Sequence, residues 1–181
     1  DEGTRKVAFT KHLYIERADF SDNPPPKFQR LKPDSEVRLM SAYAAKCKEV
    51  IYGKDGRPEK LICTVDPETA GCNPPDGRKI KGTIHWVSKE HAVDAEVRLY
   101  DKLFTIEDTS AIPEDKSFKD YLNPESLVVM PNAKLEESLK DAAASERFQF
   151  VRNGYFCVDV HNPHVINRIV TLKDSFSKNI K

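Results

Sequence analysis

The sequence predicts a mostly β protein, built as two small β-barrels with one or two short helices, and three observations lead there. Turn-forming clusters recur along the chain at Pro24-Pro25-Pro26, Asp55-Gly56, Pro74-Pro75-Asp76-Gly77 and Asn153-Gly154. The runs between them are short, and several alternate apolar with polar residues as half-buried strands do. Asp55-Gly56 and Asn153-Gly154 each lie between apolar runs, which is the local signature of a β-hairpin.

Taken in order, Lys6 to Phe20 opens with Leu13 and Ile15 alternating against His12, Tyr14 and Glu16. Residues 36–50 carry Val37, Leu39, Tyr43, Ala45 and Cys47 on one parity, a pattern that leaves helix open. The Asp55-Gly56 turn and the following run Leu61 to Val65 favour strand there. Lys81 to Val87 and Glu96 to Thr105 read as further strands, and Trp86, the single tryptophan, offers a large ring to the core. Between Asn132 and Glu146, Leu135, Leu139 and Ala142 or Ala143 fall at helical spacing, so one short amphipathic helix is expected. Phe148 to Arg152 and Tyr155 to Val158 flank Asn153-Gly154 as the clearest hairpin, expected to turn through the positive φ angles of a type I′ corner. Val165 to Leu172 closes the order as a last strand. The strands fall in two clusters, which places a first barrel in residues 1–95 and a second in 96–181, with strands free to be exchanged.

Composition narrows the function classes. The 181 residues are 39% hydrophobic and 32% charged, and no apolar run approaches the ~20 residues of a membrane span, so no membrane partner is expected. Lys and Arg (29) cancel Asp and Glu (29), so any nucleic-acid contact must be local. The chain opens on Asp1 without an initiator Met and without a signal-peptide pattern, so a piece of a longer, cytoplasmic protein is expected. The four cysteines form no CxxC pair and are expected to be reduced.

Motifs for a P-loop, a dinucleotide fold, a nucleophile elbow or a zinc protease are missing, and no catalytic residue is assigned in this chain. His161 and His164 form an HxxH, but zinc needs a third protein ligand that the sequence does not supply, so no metal is expected. His85 and His91 are expected in a core or interface. Basic residues interleaved with aromatic and amide groups stand out: Lys27-Phe28-Gln29-Arg30, Arg38, Arg78-Lys79, Lys81, and Gln149 with Arg152. That is the chemistry single-stranded RNA requires, since splayed bases stack on aromatic or guanidinium planes and hydrogen-bond through their edges.

Several ordered stretches then resemble the C-terminal anticodon-binding region of the glutaminyl-tRNA synthetase family: Arg17 to Phe20, Glu36 to Leu39, Asp76 to Ser88, Glu96 to Phe104, Asn123 to Leu127, Phe148 to Phe150, Gly154 to Cys157 and Thr171 to Asp174. The resemblance covers nearly the whole chain and implies two barrels similar in fold to the ribosomal protein that binds 5S rRNA. It implies that the full enzyme joins glutamine to tRNA(Gln), with ATP and Mg used in an N-terminal catalytic domain outside this chain and no cofactor in the chain itself. It also implies a role for particular residues. Gln29 and Arg30 would meet the third anticodon nucleotide, Arg38 the first and Gln149 the second, with Arg152 and Ser175 on neighbouring loop nucleotides. Lys27 stands beside them where the family commonly has glutamine. Gln29 replaces a common lysine, Met40 a common second arginine and Ser175 a common threonine. The readings weighed against this are an RNA-binding barrel of the 5S rRNA type, a protein-interaction module, and a metal-dependent hydrolase built on His161 and His164.

Overall fold

The computed structural model describes residues 3–172. It divides between Glu90 and His91 into two compact units. Among the described residues the regular structure is strand and 3-10 turn, and the longest turn, Phe118–Tyr121, has four residues. The mostly β class read from the sequence is therefore what the structure holds.

In the first unit, β1 (Leu13–Tyr14) pairs with β6 (Val87–Ser88), while β2 (Glu36–Leu39), β3 (Ala44–Tyr52), β4 (Pro58–Asp66) and β5 (Thr83–Ile84) form a sheet ordered β4-β3-β2-β5. β2 shows why these residues form a strand: Val37 and Leu39 are buried on one face while Glu36 and Arg38 take the other. The single segment expected over residues 36–50 is two strands. It breaks at Ser41, which adopts φ +55° while Ala42 N–H donates to the Leu39 carbonyl at 2.9 Å. No glycine or proline marks that corner. β3 and β4 pair antiparallel across the Asp55-Gly56 turn, and β5 runs parallel to β2. Leu31, Val37, Leu39, Ala42, Ala45, Cys47 and Ile84 make the core. Trp86 is half-buried at its margin, donating from Nε1 to the Met40 carbonyl at 3.0 Å and packing edge-on to Phe9.

In the second unit, β7 (Val93–Tyr100), β8 (Leu127–Leu135), β9 (Arg147–Phe150), β10 (Gly154–Val158) and β11 (Val165–Val170) form one sheet ordered β8-β7-β11-β10-β9, with β7 and β11 parallel. The amphipathic helix expected over residues 132–146 is absent. Residues through Leu135 belong to β8, and a single 3-10 turn, Glu137–Leu139, follows. Leu135, Leu139 and Ala142 do reach the core, as their spacing required, but from a strand end and a loop. β8 was hidden because Pro131 interrupts it. β8 is an edge strand, and Pro131 sits in a bulge where the register shifts between Ala95↔Ala133 and Val97↔Met130.

The β9–β10 hairpin forms, but not through a two-residue Asn-Gly corner. Gly154 pairs with Phe150, which leaves Val151, Arg152 and Asn153 as the loop, and Arg152 carries the positive φ of +75°. Gly154 is needed for a different reason: at φ +149° a Cβ there would lie 2.5 Å from the Val170 carbonyl oxygen. Phe150 and Phe156 stack at 4.4 Å on the inner face.

Candidate nucleic-acid interface

The first unit brings Gln29, Arg30 and Arg38 around Gly82. The loop carrying Gln29 and Arg30 is fastened by Leu31 N–H donating to the Asp19 carbonyl at 3.0 Å and Ser21 N–H donating to the Leu31 carbonyl at 3.1 Å. Gly82, at φ +94°, packs so closely beneath it that a Cβ would fall 1.9 Å from the Gln29 carbonyl oxygen. The Gly82 carbonyl in turn accepts from Arg38 N–H at 3.1 Å. One glycine thus fixes the distance between the loop and β2.

The side chains differ in their commitments. Arg30 Nη1 donates to Asp19 Oδ1 at 2.6 Å, with the Asp19 side chain 0% exposed and that of Arg30 35% exposed. Arg38 Nη1 donates to the Thr69 carbonyl at 3.2 Å, while its Nη2 is buried and has no hydrogen-bond partner among the described residues. Thr69 is itself anchored, its buried Oγ1 accepting from Ala44 N–H at 2.8 Å and donating to the Asp66 carbonyl at 2.6 Å. Gln29 and Lys27 are exposed, and Lys27 holds φ +65° just after the proline run. Phe28 N–H closes that turn onto the Pro25 carbonyl at 3.2 Å.

Arg78, part of the basic cluster read from the sequence, is spent on structure. It forks onto Glu36 with Nε and Nη2 both at 3.0 Å, reaches Asp76 at 2.7 Å and also bonds Asp66. Those hydrogen bonds, Glu36 foremost, raise its pKa further. The Arg78 hydrogen bonds hold Asp66 and Asp76 below the usual carboxylate range, with the side chain leading at Asp66 and the backbone N–H at Asp76. A guanidinium neutralised by three carboxylates offers little to a phosphate.

In the second unit, alternation along β9 turns Phe148 and Phe150 inward and leaves Arg147 and Gln149 exposed. Gln149 lies opposite Tyr155, and Tyr155 opposite Val170 on the other side, so the outward face carries an amide, a phenol and an apolar residue in one cross-strand row. Tyr155 is 44% exposed, and the sequence reading did not single it out; the hairpin register is the signal that finds it. Arg152 is half-buried in the loop beside this row. Ser175 lies outside the described residues. His161 and Asn162 donate their backbone N–H groups to Asp159 Oδ1, so the HxxH segment is a capped turn. No group of three or more His, Cys, Asp or Glu side chains among the described residues is arranged to hold a metal. His85 is half-buried with no hydrogen-bond partner for Nε2 among the described residues, and His91 Nδ1 lies 3.0 Å from Glu137. No helix among the described residues is long and apolar enough to cross a membrane.

Two small β units that present amide, guanidinium and aromatic groups at their surfaces have the side-chain chemistry of an RNA-recognition module. Two models of the family described as tRNA synthetases class I (E and Q), anti-codon binding domain, match residues 1–66 and 83–159. The chain belongs to that family. Among its relatives, a glutamine–tRNA ligase of Clostridium kluyveri is 46% identical over 96% of this chain, one of Pseudomonas putida 46% over 97%, and one of Neisseria meningitidis 47% over 96%. In each case the chain matches 32% of the relative, so it spans about a third of the length of the curated relatives it matches.

Proposed function

We infer that this chain reads the anticodon of tRNA(Gln) on behalf of a cytoplasmic glutamine–tRNA ligase. The remainder of that enzyme would attach glutamine with ATP and Mg in an N-terminal catalytic domain. The observation that carries the reading is the orphaned Arg38 Nη2. A buried donor without an acceptor costs about 1–3 kcal/mol, and in this reading the acceptor arrives with the RNA. With Nη1 fixed on the Thr69 carbonyl, Nη2 is aimed rather than free, and a base-edge oxygen or nitrogen would complete it.

Arg38 is assigned to the first anticodon nucleotide. Gln29 and Arg30, with Lys27 beside them, are assigned to the third. Gln149 is assigned to the second, its amide both donating to and accepting from a uracil edge, with Arg152 and Ser175 contacting adjoining loop nucleotides. The chain binds and orients; it moves no proton and breaks no bond. The test uses the full-length enzyme. Arg38→Ala is expected to lower kcat/KM for tRNA(Gln) about 5- to 150-fold and to erode rejection of tRNAs altered at the first anticodon position, the range that follows from ~1–3 kcal/mol for one base contact. An unchanged ratio of cognate to altered tRNA overturns the assignment.

A further inference from the structure

The geometry points to Asp19 as a positioning residue for anticodon reading: its buried carboxylate holds the Arg30 guanidinium in one plane, so that the remaining donors meet the third nucleotide in a fixed direction. The inference rests on the function proposed above and extends it to a residue that touches no RNA.

Three observations carry it. Asp19 is wholly buried, yet its Oδ1 accepts from an Nη1 whose side chain is about a third exposed, so the pair spans from the interior to the surface. The backbone around it needs no such pair. Leu31 N–H already donates to the Asp19 carbonyl, Ser21 N–H to the Leu31 carbonyl, and Phe20 bridges Leu31, so the two segments are stapled without any charge. Burying a carboxylate is costly unless it is matched, and a merely structural contact at this point is served as well by an apolar side chain. Finally, a guanidinium is planar and its donors are rigidly related. Fixing one Nη restricts the plane of the fork, and its other N–H groups bond nothing among the described residues.

Arg38 is held by the same logic through a different group, the Thr69 carbonyl. The two arginines are therefore oriented by one buried acceptor each. Preorganisation of this kind reduces the conformational entropy lost on binding and fixes which base edge can be met.

The test measures glutaminylation by the full-length enzyme with tRNA(Gln) and with tRNAs altered singly at each anticodon position. The variants are Asp19→Leu, which matches the carboxylate's branching without an acceptor, Arg30→Ala, and the two combined. Asp19→Leu is expected to cut discrimination at the third position about tenfold, the size of one base contact, and to leave the first and second positions within about twofold. In the Arg30→Ala background it is expected to add less than about twofold, because the orientation it supplies no longer has an object. Equal losses at all three positions, or a full additional loss in the Arg30→Ala background, overturn the positioning role. If Arg30→Ala itself leaves the third position intact, the assignment of Arg30 to the anticodon fails instead. Arginine side-chain 15N NMR of the wild-type enzyme reads the same point without any change at Asp19: Arg30, assigned by its disappearance in Arg30→Lys, is expected to show slowed guanidinium rotation before tRNA is added. A freely rotating Arg30 overturns the proposal even if Asp19→Leu fails to fold.

Discussion

Arg30, Arg38 and Arg78 carry the same guanidinium, yet the fold gives each a different task. Arg78 is neutralised by Glu36, Asp66 and Asp76, Arg30 is half-committed to Asp19, and Arg38 keeps a buried donor in reserve. Composition and spacing show all three as basic residues near turns, and only the family resemblance sets Arg30 and Arg38 apart, because the partners that decide their tasks are distant: Glu36 is 42 positions from Arg78, Asp19 is 11 from Arg30 and Thr69 is 31 from Arg38. Gln149 was easier to read, since alternation within a four-residue strand puts it outward whatever surrounds the strand. The same register places Tyr155 beside it, exposed on the row that ends at Val170. Tyr155→Ala in the full-length enzyme is expected to weaken tRNA binding by about 1–3 kcal/mol, the worth of one base stacked on an aromatic ring, and Tyr155→Phe to leave it within about twofold. Equilibrium binding to tRNA(Gln) checks this. Equal losses in both variants would assign the effect to the hydroxyl instead.

Among the elements, those bounded by local turn chemistry were the legible ones. The Asp55-Gly56 hairpin forms as read, and the Phe148 to Val158 hairpin forms with its corner one step earlier than the Asn-Gly pair implied. The failures share a cause. Ser41 and Arg152 turn at positive φ without glycine, and β8 contains a proline that only an edge position with a bulge tolerates. In each case pairing across the sheet outweighed local preference. The N-terminal segment is fastened by another long-range device. Thr10 and His12 both bond Glu90, His12 Nδ1 at 2.6 Å, and Thr10 also bonds Ser88 at 2.8 Å. The Thr10 hydrogen bond and then that of His12 hold the Glu90 carboxyl down from its ordinary 4.5 to about 2. The folded pKa is lower than the unfolded one, so this clamp contributes fully above about 4.5 and is lost as pH falls towards 2. Glu90→Gln is therefore expected to lower the melting temperature above pH 4.5 and to flatten its fall between 4.5 and 2. Melting curves across that range decide it; a Glu90→Gln profile parallel to wild type would remove the carboxylate from the account.

For the molecule as a whole, balance of charge is the governing fact. With 29 basic and 29 acidic residues, the chain has no general attraction for a polyanion, and several of its basic side chains face carboxylates. Recognition must then come from a few aimed groups rather than a field. Binding of tRNA(Gln) by the full-length enzyme is expected to weaken as salt rises, and Arg152→Gln to reduce the slope of log K against log[salt] by about one, the signature of one phosphate contact. A slope unchanged by Arg152→Gln would move Arg152 from the phosphate backbone to a base or to structure. By itself the sequence determined that the chain is mostly β, where most strands run and which residues of the final hairpin face outward. Those features follow from steric preferences and a two-residue side-chain period that act between near neighbours. Only the tertiary structure decided which guanidiniums are bonded to carboxylates and which keeps an unpartnered donor, that Gly82 must leave room for the Gln29 carbonyl, and that Asp19 stands behind Arg30. Those facts depend on groups far apart in the chain meeting within hydrogen-bonding or contact distance, and no local pattern encodes such a meeting.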